Sequence, residues 1–159
     1  MKRSEYEAKM KALQDEIETL KKVEIEEDSG RWKPNADDKY YYIDENGSID
    51  SYSWDNYGYD KEHYEIGNCF KTREEADFAI QKLMVLAELK EFAEPRDAEW
   101  DGAKKHYCIR YNIDRGDFVV DYNHTLRHAT LYFVSAEAAH EAIEKVGEER
   151  IKKYYLEVE

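Results

Sequence analysis

Chemistry in this chain could come from five histidines, two cysteines and many carboxylates. His124 and His128 stand four apart, the spacing that puts two imidazoles on one helix face toward a metal. The residues around them, from Asn123 to His128, read as a loop, so that shared face is not formed and no metal site is expected. His63, His106 and His140 stand singly, as surface or edge residues. Cys69 and Cys108 lack a C-x-x-C partner, and they read as buried thiols kept reduced in a cytosol. Neither a G-x-G-x-x-G nor a G-K-[ST] phosphate loop is present. With 37 acidic residues, no carboxylate is marked by its context as a general acid or base. The expectation is a protein with no catalytic residues and no cofactor.

The most unusual stretch lies between positions 44 and 64, where Asp44, Glu45, Asp50, Asp55, Asp60 and Glu62 are interleaved with Tyr57, Tyr59 and Tyr64. One reading is a solvated hairpin and loop with tyrosines at the edge of the core. The other is a protein-recognition surface: tyrosine gives contact area at little entropic cost, and carboxylates seek Arg or Lys on a partner. A string of carboxylates can also occupy a groove built for phosphates. The net charge of -13 argues against direct nucleic-acid binding, which needs a basic face to displace counterions. It fits solubility, a basic partner or mimicry of a polyanion.

The elements that must position these residues follow from a repeat. Cys69-Phe70-Lys71-Thr72-Arg73-Glu74-Glu75-Ala76 and onward to Leu83 recurs as Tyr132-Phe133-Val134-Ser135-Ala136-Glu137 and onward to Val146. The offset is 63 throughout, since 133 minus 70 and 146 minus 83 give the same value. Each copy reads as a strand end, a hydroxyl N-cap (Thr72, Ser135) and an amphipathic helix. In the first copy Glu75 closes a capping box, and the apolar stripe runs through Ala76, Ala79, Ile80, Leu83, Leu86, Ala87 and Leu89. Upstream, Tyr40–Ile43 and Ser48–Trp54 flank an Asn46-Gly47 turn and read as a hairpin, with a third strand from Tyr64 to Phe70. The second copy repeats this with strands at 106–111, 118–122 and 129–134.

Before the repeats, residues 1–23 carry Tyr6, Met10, Leu13, Ile17 and Leu20 at alternating steps of four and three, a heptad seam. The helix either docks on its own domain or pairs with a second subunit, and the narrow stripe favours a homodimer. Residues 24–38, with Gly30 and Pro34, form a linker in which Trp32 reads as an anchor. The chain is thus an α+β protein. An N-terminal helix precedes two β-β-β-α repeats (39–93 and 105–159), giving a mainly antiparallel sheet, or two small packed ones, with helices on one face. No apolar run approaches the ~18 residues of a membrane span and no signal peptide is visible, so a cytoplasmic setting is expected.

The segments Trp32-Lys33-Pro34, Lys39-Tyr40-Tyr41-Tyr42-Ile43-Asp44-Glu45-Asn46-Gly47 and Ile66-Gly67-Asn68-Cys69-Phe70-Lys71-Thr72-Arg73-Glu74-Glu75-Ala76 resemble a pattern found in small accessory proteins of Firmicute bacteriophages and prophages. That resemblance covers residues 32–90, and the family pattern has a bulky residue where this chain has Cys69. It implies a counter-defence role in the host bacterial cell: an acidic inhibitor of a host nuclease such as a CRISPR effector, acting on a basic groove. Two other readings stay open beside it. One is a scaffold protein dimerised by its N-terminal helix. The other is a sponge for a signalling nucleotide, which requires basic or backbone N–H pockets.

Overall fold

The computed structural model describes residues 5, 9–15, 17, 30–129 and 131–158. The chain divides into two compact units, Met1–Trp32 and Lys33–Glu159. In the first, residues 9–15 are helical, and Met10, Leu13 and Ile17 are exposed. Tyr6 and Leu20, the other members of the heptad seam, lie outside the described residues.

The second unit is α+β. It opens with a hairpin, β1 (Lys39–Ile43) and β2 (Ile49–Ser53), paired antiparallel with Tyr41 opposite Ser51. Asp44 closes the turn by accepting from the amides of Asn46 and Ser48 at 2.9 and 2.8 Å. Of the Asn46-Gly47 pair only Gly47 takes a positive φ (78°), so the turn is a Gly-bulged one. A helix α1 (Gly58–Glu65) follows, then the long helix α2 (Arg73–Lys90). A second hairpin, β3 (His106–Asn112) and β4 (Asp117–Asn123), leads to α3 (Ala136–Val146). A single turn, α4 (Glu148–Arg150), runs into a π-helical segment at Ile151–Tyr155.

One expectation is corrected. Among the described residues the third strands do not form: residues 58–65 are helix, and each third strand shrinks to one bridging residue. Of the two arrangements the sequence left open, one sheet or two small ones, the strands make two separate two-stranded sheets. The bridges themselves are matched. Phe70 exchanges both backbone hydrogen bonds with Tyr41 at 2.9 Å, and Phe133 does the same with Tyr107 at 3.0 and 2.8 Å. Asn68 extends the first bridge with its side chain, taking the Ile43 amide (2.8 Å) and donating to the Ile43 carbonyl (2.7 Å). An amide side chain thus does the work of one more residue of strand.

The caps are formed as read. Thr72 accepts from the Glu75 amide, Glu75 reaches back to the cap, and Ser135 accepts from the Ala138 amide. The stripe of α2 differs. It buries Ala76, Val85 and Leu89, whereas Leu83 and Met84 face solvent. The aliphatic core belongs to the second half: Val85 and Leu89 meet Ile109, Leu131, Phe133, Ala142, Ile143, Val146 and Ile151. Arg150 fastens the C-terminal segment to α2 with two bonds to Glu88, 2.6 and 2.7 Å long. That pair holds the Glu88 carboxyl below its usual range, Arg150 being the first cause.

Candidate functional site

Alternation along the first hairpin puts Tyr40, Tyr42, Asp50 and Tyr52 on one face, and α1 lies against it. Asp60, His63 and Tyr64, at helical spacing, provide the contacts. Tyr40 donates to Asp60 Oδ1 at 2.8 Å and lies 3.2 Å from His63 Nδ1. His63 stacks on Tyr42 with centroids 4.6 Å apart, and Trp54 meets both Tyr40 and Tyr64 edge-on. The first half thus has an aromatic and polar core where the second has an aliphatic one.

Asp60 is the anchor of this arrangement. Besides Tyr40, it accepts from the backbone amides of Asp55 (3.0 Å) and Tyr57 (3.1 Å), capping α1 from its third position. It has no exposed surface. This corrects its expected place on a recognition face: its oxygens are occupied inside the domain. Burial, then the hydrogen bond and charge of Asp60, push the Tyr40 hydroxyl far above the ordinary tyrosine range.

The remaining residues expected to meet a partner stand outward, with one partial exception. Glu45, Asp50, Asp55, Tyr57, Tyr59 and Glu62 are exposed, while Asp44 is half-buried in its turn. Tyr57 is 66% exposed and Tyr59 45%. Tyr52, which the sequence reading did not single out, joins them at 44%, and its ring meets that of Tyr59 edge-on at 5.5 Å. The Tyr59 hydroxyl is pushed up to about 12, first by its hydrogen bond with Tyr52 and then by partial desolvation. Alternation along β2 could have nominated Tyr52, because it shares a strand face with Tyr40's side of the hairpin.

A second cluster escaped the sequence entirely. Glu94 places both carboxylate oxygens on His106 Nδ1, at 2.9 and 2.8 Å, with the two side chains only 6% and 3% exposed. Trp100 stacks flat on His106, 3.7 Å between centroids, and Tyr132 closes the side. His106 Nε2 and Trp100 Nε1 are buried and have no hydrogen-bond partner among the described residues. The only sequence signal was a tryptophan in a polar connector.

His128 lies beside Arg110, and among the described residues no group of three or more His, Cys, Asp or Glu is placed to hold a metal. Cys69 and Cys108 are buried and are not joined in a disulfide. Among the described residues, no helix is long and apolar enough to cross a membrane. Comparison of the chain with protein-family models, with curated proteins and with solved structures gives no match.

Proposed function

We propose that this chain is a non-enzymatic binding protein that offers Tyr52, Tyr57 and Tyr59, rimmed by Asp50, Asp55 and Glu62, to a basic groove on a protein partner. The observation that carries this reading is the meeting of Tyr52 and Tyr59 on the outside of the domain, each close to half exposed. Aromatic rings grouped at a surface and ringed by charge are the usual anatomy of an interface centre. The chain's charge of -13 would steer it toward a cationic site. With the phage resemblance, the partner is a host defence protein of the bacterial cytoplasm, a nuclease of the CRISPR type, whose phosphate-binding groove the carboxylates fill. On this reading residues 39–93 and 105–159 are copies of one β-β-α unit with a vestigial third strand. The matched bridges of Phe70 and Phe133 support that descent. In the first copy Tyr52 of the hairpin and Tyr57 and Tyr59 of the loop and helix serve recognition, and the aliphatic core lies with the second.

The test is capture from host lysate with the parent chain and with an Asp55→Lys/Glu62→Lys variant, nucleic acid removed beforehand. A basic protein held by the parent and lost by the variant is the expected result. Equal capture by both sinks the reading.

One observation favours a second reading, a scaffold dimerised by the N-terminal helix: Met10, Leu13 and Ile17 are 41%, 53% and 50% exposed. Deleting residues 1–23 would then halve the mass seen by light scattering. A monomeric full-length chain removes this reading and leaves the first untouched.

A further inference from the structure

A chain of two hydrogen bonds sets which nitrogen of His63 carries a proton. Tyr40 has one hydroxyl proton, and it goes to Asp60 Oδ1 over 2.8 Å. Asp60 also takes the amides of Asp55 and Tyr57, so its oxygens act as acceptors throughout. The Tyr40 oxygen, 3.2 Å from His63 Nδ1, is left to accept, and Nδ1 must supply the proton. In the neutral imidazole that puts the lone pair on Nε2.

Nδ1 makes that one bond, and Nε2 makes none among the described residues. Nor is Nε2 shut in. The buried side-chain nitrogens without a partner are those of Trp100, His106 and His124, and His63 itself is only half-buried. The lone pair opens beside the tyrosine face: the ring lies flat on Tyr42 and meets Tyr59 edge-on at 6.4 Å, and Tyr59 meets Tyr52. The titratable groups facing the imidazole are Tyr40 and Tyr42 of β1 and Tyr59 and Asp60 of α1, with Asp44, Asp50 and Tyr52 next to Tyr42. The three phenols are raised above the ordinary tyrosine range, Tyr40 and Tyr42 first by burial and Tyr59 first by its bond to Tyr52. Around neutral pH they stay protonated, and histidine is the one side-chain type here that changes charge between pH ~5 and ~8.

We propose, resting on the tyrosine face as an interface, that His63 Nε2 accepts an N–H from a lysine or arginine of the partner, and that protonation of Nε2 expels that side chain. A neutral Nε2 can only accept, so the partner must donate. The exposed carboxylates of the same face, Asp50, Asp55 and Glu62, select a donor that is also a cation. Below the usual histidine range, near pH ~6.5, Nε2–H would meet an N–H of like charge. Binding of a basic partner is therefore strongest at neutral and alkaline pH and is lost on acidification. Tyr40 and Asp60 do not touch the partner; they position the imidazole and fix its tautomer.

The experiment follows the imidazole nitrogen resonances of His63 and the ring signals of Tyr57 and Tyr59 in the full chain, with nona-arginine as the basic probe at matched ionic strength. Without peptide, the neutral His63 should carry its proton on Nδ1; a proton on Nε2 overturns the proposal. With peptide at pH ~7.5, Nε2 should shift saturably together with Tyr59, and affinity should fall ~10-fold or more by pH ~5.5. His63→Phe keeps a ring against Tyr42. It should bind several-fold more weakly than the parent at pH ~7.5 and lose most of the pH dependence. The tautomer and the Nε2 shift are read on the parent alone, so neither depends on the variant folding. If the peptide moves Tyr57 and Tyr59 but leaves Nε2 still, or if parent and variant weaken in parallel with acid, His63 has no such role and the tyrosine face stands. If the peptide moves none of the three residues, the tyrosine face takes no cation and both readings fall.

Discussion

Tyr40 donates its hydroxyl proton to Asp60 Oδ1 over 2.8 Å, and neither residue has any exposed surface. One carboxylate thereby joins β1, the loop after β2 and the first turn of α1. Asp60→Ala removes three hydrogen bonds and leaves the Tyr40 hydroxyl only the longer contact with His63 Nδ1, which should cost roughly 2–4 kcal/mol. Tyr40→Phe leaves Asp60 its two amides and should cost about 1–2 kcal/mol. Exposed neighbours behave otherwise: Asp55→Lys and Glu62→Lys should stay within ~0.5 kcal/mol of the parent. Urea unfolding of the four variants gives the order. If Asp60→Ala falls with the exposed pair, the buried network is not formed.

The same pair fixes a dependence on alkali. Burial, with Asp60 next, raises the folded-state pKa of Tyr40 above its unfolded value. Below pH ~10 the phenol is neutral in both states and the contribution is fully present. Above it the unfolded chain gives up a proton that the folded chain keeps, so stability falls as pH rises. Tyr155 and Tyr42 are raised for the same leading reason and add to the slope. Tyr40→Phe should therefore lose stability more gently between pH ~9 and ~11. Denaturation midpoints measured across that range decide it, and a slope parallel to the parent's would remove the Tyr40 contribution.

What was legible and what was not divides along physical lines. Caps are local, and Thr72, Glu75 and Ser135 announced themselves by type and spacing. The helix at 58–65 did not, because its inward face is Asp60, His63 and Tyr64, and a search for apolar periodicity passes over a stripe made of hydrogen bonds and rings. Asp60 looked like one more surface carboxylate for the same reason. On α2, Leu83 and Leu89 are equivalent in type, and only tertiary packing against Ile109 and Phe133 decides that one is buried. Tyr57, Tyr59 and most of the carboxylates around them could be placed at the surface in advance, whereas Tyr52 was not named. The Glu94–His106–Trp100 cluster could not, since its members come from a connector and a strand with no shared period.

The two bridging phenylalanines should not weigh the same. Phe133 is fully buried in the cluster that holds Ile109, Leu131 and Ile143, while Phe70 is only partly buried. Phe133→Ala should cost ~3–5 kcal/mol. Phe70→Ala should cost about half of that, because less surface leaves water and a cavity at the edge can refill. Equal losses in calorimetry would mean that the two halves share one cooperative core of uniform packing.

Association kinetics separate the two components of the proposed interface. Asp50, Asp55 and Glu62 lie at the rim, where charge acts over distance and sets the rate of encounter. Reversing Asp55 and Glu62 to Lys should slow association by ~10-fold or more at low salt, with little change in dissociation. Added salt should slow the parent toward the variant as the screening length drops to ~8–10 Å near physiological ionic strength. Tyr57 and Tyr59 act only in contact. Alanine at either should leave the on-rate within about twofold and speed dissociation, by ~10-fold for a residue at the centre of the patch. Tyr52→Ala should resemble Tyr59→Ala, because removing one ring frees the other from the edge-on contact that orders it. Asp60 has no place in this series: it faces inward, and a change there would report on folding. The measurement is surface-immobilised binding of the captured partner, with each variant's fold checked beforehand. If the reversed variant associates as fast as the parent and salt has no effect, the charge serves solubility alone. If the alanine variants dissociate at the parental rate, the exposed tyrosines are not the anchor.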